Sequence, residues 1–223
     1  MPTETVEVRT DDGVDLEAQL ATPTGTSAGA GGLVVLAHPH PAYGGDMRAG
    51  AIDWFFHALP AAGLAALRFN FRGVGRSGGR HEGGLAERAD VRAAVQAAAR
   101  LGFGATAGAP TGRPLVLAGW SFGAEVALAV ADEAVTGWFA IAPPLRILPA
   151  DELLAGRDPR PVVLQVPEHD QGCPPACATA ATAGWETTTV EVVPGTDHFL
   201  AGAAGLLTDR LVAWCRALAE GAY

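Results

Sequence analysis

The chain has 223 residues, 49% of them hydrophobic and 17% charged, with a formal charge of −9. That length is enough for one sizeable core and does not require a second domain. The negative balance argues against nucleic acid or an anionic membrane as partner. All 15 basic residues are arginine, which excludes every mechanism that needs a lysine: a Schiff base with pyridoxal phosphate, a Walker-type phosphate loop or a Ser-Lys dyad.

The start, Met1-Pro2-Thr3-Glu4-Thr5, has neither the basic residues nor the apolar stretch of a signal peptide. No apolar run approaches the ~18 residues of a membrane span. The three cysteines, Cys173, Cys177 and Cys215, form an odd set. Together these features predict a cytoplasmic protein with reduced thiols.

In chain order, residues 5–10 alternate as a strand does, Asp11-Asp12-Gly13 reads as a hairpin turn, and residues 14–21 return as a second strand. Residues 22–32 read as a loop. Leu33-Val34-Val35-Leu36-Ala37 is wholly apolar, as expected of a strand covered on both faces. Helical periodicity runs over 47–62, with Ile52, Phe55, Phe56 and Leu59 on one side. A strand at 64–71, an amphipathic helix at 85–101 and a loop at 102–113 follow. Further strands are expected at 115–118, 136–142, 161–166 and 188–193, with helices at 174–183 and 201–219. This alternation predicts a single α/β domain over 1–223: a mostly parallel, doubly wound sheet of about eight strands with an N-terminal antiparallel hairpin. Ligands of such folds bind outside the carboxyl ends of the strands.

The strand at 115–118 runs into Gly119-Trp120-Ser121-Phe122-Gly123, and residues 124–130 continue as helix formers without a breaker. Strand, G-x-S-x-G, helix is the context in which this motif is a nucleophile elbow. A serine on so sharp a turn is strained, and small neighbours leave room for backbone to pass. With no lysine available, a histidine or a carboxylate must activate Ser121. The strand at 161–166 leads to Pro167-Glu168-His169-Asp170, and the strand at 188–193 leads to Pro194-Gly195-Thr196-Asp197-His198-Phe199. Asp170 and His198 therefore stand at carboxyl ends of later strands, in the order Ser, Asp, His. His198 would take the proton of Ser121, and Asp170 would hold the imidazole tautomer. Glu168 is the rival acid; Asp197 is badly placed beside the base. Of the other histidines, His38 and His40 fall near the site, and His57, His81 and His169 read as bystanders.

The loop His38-Pro39-His40-Pro41-Ala42-Tyr43-Gly44-Gly45-Asp46 follows the central strand, where half of an oxyanion hole is expected; the N–H of Phe122 supplies the other half. Pro39 and Pro41 have no N–H to give. That leaves His40 as the leading donor, with Tyr43 or Gly44 behind it.

The chain resembles a small α/β-hydrolase, similar to the capless esterase and dienelactone-hydrolase-like branches. The likeness runs through His38-Pro39, Arg68-Phe69-Asn70-Phe71-Arg72-Gly73-Val74-Gly75-Arg76-Ser77, the elbow, Asp170 and Gly195-Thr196-Asp197-His198. Two departures matter. The usual His-Gly of the oxyanion loop is His38-Pro39 here, and dienelactone hydrolases use a cysteine where this chain has Ser121. The resemblance implies an ordinary ester or thioester as small-molecule substrate and an acyl-enzyme, with no cofactor or metal. The short stretch between Pro143 and Pro161 leaves little room for a cap. The open site then relies on Tyr43, Trp120, Phe122, Leu145 and Phe199 for apolar contact, with Leu145 and Ile147 as a small flap. Acyl transfer by the same residues, or a binding protein on the same fold, are the alternatives; monomer and dimer both stay open.

Three signals are set aside. Gly73-Val74-Gly75-Arg76-Ser77-Gly78 matches a dinucleotide fingerprint, but no helix opens at its third glycine. Cys173-x₃-Cys177 lacks the further ligands of a zinc site. Glu125, Asp90 and Arg92 read as exposed helix residues.

Overall fold

The computed structural model describes residues 3–23, 30–104 and 113–222. The expected loops at 22–32 and 102–113 therefore lie partly outside the described residues. Strands β1 (Thr3–Thr5), β4 (Ala18–Ala21), β5 (Leu33–Ala37), β6 (Ala65–Phe69), β7 (Leu115–Trp120), β8 (Gly137–Ile141), β9 (Val162–Pro167) and β10 (Thr188–Val193) form one sheet in the order β1-β4-β6-β5-β7-β8-β9-β10. From β6 to β10 every pairing is parallel; β1–β4 and β4–β6 are antiparallel. The predicted hairpin is there, split in two: β2 (Val8–Arg9) and β3 (Asp15–Leu16) pair as a separate ribbon around the Gly13 turn.

Side chains alternate between the two faces of the sheet, so each apolar strand feeds two cores. Leu33, Val35, Leu115, Leu117, Leu164 and Val166 face α2 (Glu87–Arg100) and α3 (Phe122–Leu128). Val34, Leu36, Val116, Ala118, Phe139 and Ile141 face α1 (Gly50–Ala58) and α5 (Ala204–Ala219). Burial on both faces is why these strands carry continuous apolar runs. The short α4 (Pro175–Ala181) packs on β9 and β10.

Several readings need correction. Asp90 is fully buried, because it is the counter-charge of Arg72; only its neighbour Arg92 is exposed. Glu125 is also fully buried. Cys173, just before α4, and Cys177, within it, are paired as a disulfide, and Cys215 is the free thiol. The thiol pattern is thus no argument for a cytoplasmic address. No helix among the described residues is long and apolar enough to cross a membrane.

Candidate active site

The turn from β7 into α3 is possible only because its glycines lack side chains. A Cβ on Gly119 would lie 2.5 Å from the Gly123 carbonyl carbon, and one on Gly123 would lie 2.3 Å from the Ala37 carbonyl oxygen. Between them Ser121 is held at φ 56°, ψ −119°, a region non-glycine residues seldom occupy. Its N–H donates to the Ile141 carbonyl at 2.8 Å, fastening the turn to β8.

The three residues expected to act together do meet. His198 Nε2 lies 2.9 Å from Ser121 Oγ, and His198 Nδ1 lies 2.8 Å from Asp170 Oδ2. Asp170 Oδ1 also accepts the N–H groups of Gly172 at 2.7 Å and Cys173 at 3.2 Å. Burial pushes the Asp170 pKa up, but the hydrogen bonds from His198, Gly172 and Cys173 outweigh it and hold the carboxyl below its ordinary value. Glu168, the rival acid, is exposed and accepts the Gly195 N–H at 2.8 Å, so it braces the turn that carries His198. Trp120 braces the same loop from the other side: its indole N–H donates to the His198 carbonyl at 3.1 Å.

The loop after β5 is fixed by His38. This ring is buried; its Nε2 accepts the Phe71 N–H at 3.1 Å, so the proton sits on Nδ1, 2.7 Å from the Pro39 carbonyl. Burial lowers its pKa to about 4, with the Pro39 carbonyl pulling the other way. The imidazole is therefore neutral near pH 7. The described peptide bonds are all trans, so a Pro39 carbonyl turned toward His38 sends the His40 N–H away from that ring. The His40 N–H has no acceptor among the described residues, and Phe122, opening α3, has no intrahelical acceptor for its own. The two fallback donors are taken: the Tyr43 N–H bonds to the His40 carbonyl and the Gly44 N–H to the Pro41 carbonyl.

Ser121 and His198 open onto a cleft of about 700 Å³. Tyr43, Trp120 and Phe199 line it, with Tyr43 and Phe199 88% and 73% exposed. Leu145 does not. It packs against the core under α3, and Pro144, Arg146 and Ile147 take its place on the cleft wall. The Phe122 ring is fully buried against Phe71, His40 and His81. Neither His57 nor His169 lines the cleft, and His81 pairs with Glu87 beside the His40 ring. The 73–78 run is a structural loop: Gly75 at φ 56° sits where a Cβ would meet Asn70 Nδ2 at 2.3 Å. Three features of consequence went unread in the sequence, the His38 ring, the Trp120 indole N–H and Arg146, and Glu125 was taken for an exposed helix residue. Each acts through a contact with residues distant in the chain, which periodicity does not encode.

No family model matches the chain. It is similar to a solved α/β serine hydrolase homologue from Coxiella burnetii, with 27% identity over 96% of this chain and 97% of that one, TM-score 0.77. A lidless α/β serine hydrolase from Xanthomonas campestris shares 26% identity over 96% of each chain, TM-score 0.77. An uncharacterised protein of Rickettsia prowazekii is 30% identical over 118 residues, 52% of this chain and about half the length of that relative (47%). The chain has the fold of the lidless α/β hydrolases.

Proposed function

We propose that this α/β-hydrolase-fold chain is a serine hydrolase that cleaves a carboxylic ester or thioester through an acyl-enzyme. One observation carries the reading: Ser121 Oγ, on a strained elbow, is 2.9 Å from an imidazole whose other nitrogen is 2.8 Å from a buried carboxylate. In this scheme Ser121 Oγ attacks the carbonyl carbon while His198 Nε2 takes its proton. The imidazolium is stabilised by Asp170, whose lowered pKa keeps it ionised. The carbonyl oxygen, now negative, is met by the N–H groups of His40 and Phe122, an arrangement worth on the order of 10²–10³-fold per donor. The intermediate collapses as His198 protonates the leaving alcohol or thiol, and water repeats the sequence to release the acid. Tyr43, Trp120 and Phe199 supply apolar contact to the substrate.

Labelling with a fluorophosphonate, read by intact mass, tests this. The expected result is one adduct on the wild type and none on Ser121→Ala or His198→Ala. A folded wild-type protein that takes no label would overturn the reading.

A further inference from the structure

Charge around the cleft runs against that of the whole molecule. Among the described residues, Arg146 is the one arginine lining it and no carboxylate does, although the chain carries −9. Three features hold Arg146 there. Ala142 at φ 48° and Leu145 at φ 52° are both left-handed without being glycine. Such strain persists only where the surroundings impose it, and it clusters at ligand sites. The next turn is clamped from below by Glu125, whose carboxylate accepts the N–H groups of Arg146 at 3.2 Å, Ile147 at 2.6 Å and Leu148 at 2.7 Å. Finally, Arg146 Nη1 donates to the Gly172 carbonyl at 3.2 Å, the residue whose N–H holds Asp170.

That bond uses one of five guanidinium N–H donors. No carboxylate pairs with the exposed Arg146 among the described residues, whereas the buried Arg68 and Arg72 each meet one; the exposed Arg92 meets none either, but it lies away from the cleft that Arg146 lines. A buried carboxylate, two strained residues and a backbone tether thus aim an unpaired cation into the cleft. The geometry points to a substrate subsite: the cleft takes esters or thioesters that carry a carboxylate, with Arg146 as the residue that selects them. This inference rests on the hydrolase reading. A carboxylate fits better than a phosphate because it brings one negative charge and a planar pair of oxygens to a planar fork. Burial and the nearby His81 lower the His40 pKa, which disfavours a second cation beside Arg146.

The test separates the subsite from the chemistry by using ligands that are not hydrolysed. The methyl ketone 6-oxoheptanoate and its neutral isostere 6-oxoheptanamide are titrated against the protein, following tryptophan fluorescence. The expected result is about tenfold tighter binding of the carboxylate by the wild type, the size of one charge-assisted contact. Arg146→Gln should bind the two alike, and Arg146→Lys should keep a preference of roughly threefold. Equal binding by the wild type, or a preference that survives in Arg146→Gln, would overturn the subsite. Hydrolysis of 4-nitrophenyl butyrate, measured alongside, reports on the hydrolase reading alone.

Discussion

Two polar regions flank the elbow at the carboxyl ends of the strands. In the 70–78 segment, Glu17 accepts from Asn70 and Arg76, Ser77 bridges the Glu17 N–H and the Asn70 carbonyl, and Arg72 joins Asp90 to Asp12. Every donor named there ends on an acceptor of the protein. Across the elbow, among the described residues, the His40 N–H has no acceptor, the Phe122 N–H has none within its helix, and most of the Arg146 fork is unpaired. Donors left open on a solvent-filled cleft are met by water, which a ligand can displace and replace as partner. The closed lattice holds the fold; under the proposed function, the open set serves the substrate. Substitutions on the two sides should therefore fail differently.

The largest contrast should come from Ser121→Ala. Turnover of an activated ester is expected to fall on the order of 10⁴-fold or more, while the unfolding midpoint does not drop, since the hydroxyl bears on no packing. Arg72→Ala should do the opposite. It strands Asp90, a fully buried carboxylate whose pKa burial already pushes up. The expected loss is about 3–5 kcal/mol in urea unfolding. The protein that remains folded should still take one fluorophosphonate. Replacing the pair together, Arg72→Met with Asp90→Leu, should cost less than Arg72→Ala alone, because no buried charge is left uncompensated and Asp12, the other partner of Arg72, is exposed.

A third effect is set by pH. The unfolded His38 titrates near 6.5 and the folded one near 4. Protons therefore favour the unfolded state as pH falls below 6.5, and stability from this group is lost progressively until about pH 4, where both states are protonated. Over that window the loss amounts to about 3 kcal/mol. Unfolding at pH 7 and pH 4.5 should differ less for His38→Asn than for wild type by a large part of that amount. If the two slopes coincide, His38 is not held neutral by the fold. The same variant frees the Pro39 carbonyl, so kcat should fall more than KM rises.

How far the sequence speaks depends on range. The elbow, the strands and the order of Ser121, Asp170 and His198 are local patterns, and local patterns survive folding. Glu125 looked like a surface residue because one turn of helix cannot reveal that residues 146–148 fold over it. Asp90 was misread for the same reason, its partner Arg72 being 18 positions away. Leu145 was expected on the cleft from its place after a strand, but with a left-handed turn at that residue it packs, partly buried, against the core, and Arg146 lines the cleft instead. A positive φ at a non-glycine residue leaves no mark in the sequence.

Trp120 is where the two kinds of region overlap, and it gives the smallest and most informative effect. Its ring lines the cleft, as a substrate contact would, while its N–H holds the His198 carbonyl at 3.1 Å, as a lattice member would. Trp120→Phe keeps an aromatic ring and deletes the N–H. If the indole acts chiefly through His198, kcat should fall about fivefold to tenfold, the size of one hydrogen bond, and KM should stay within about twofold because the apolar wall persists. A variant that raises KM and leaves kcat untouched would instead assign Trp120 to the substrate. The two outcomes differ in which kinetic constant moves, and a structural defect alone would lower the active fraction without separating them. Titrating that fraction with fluorophosphonate beforehand makes the split readable, and decides whether the closed lattice extends through Trp120 to the edge of the reacting atoms.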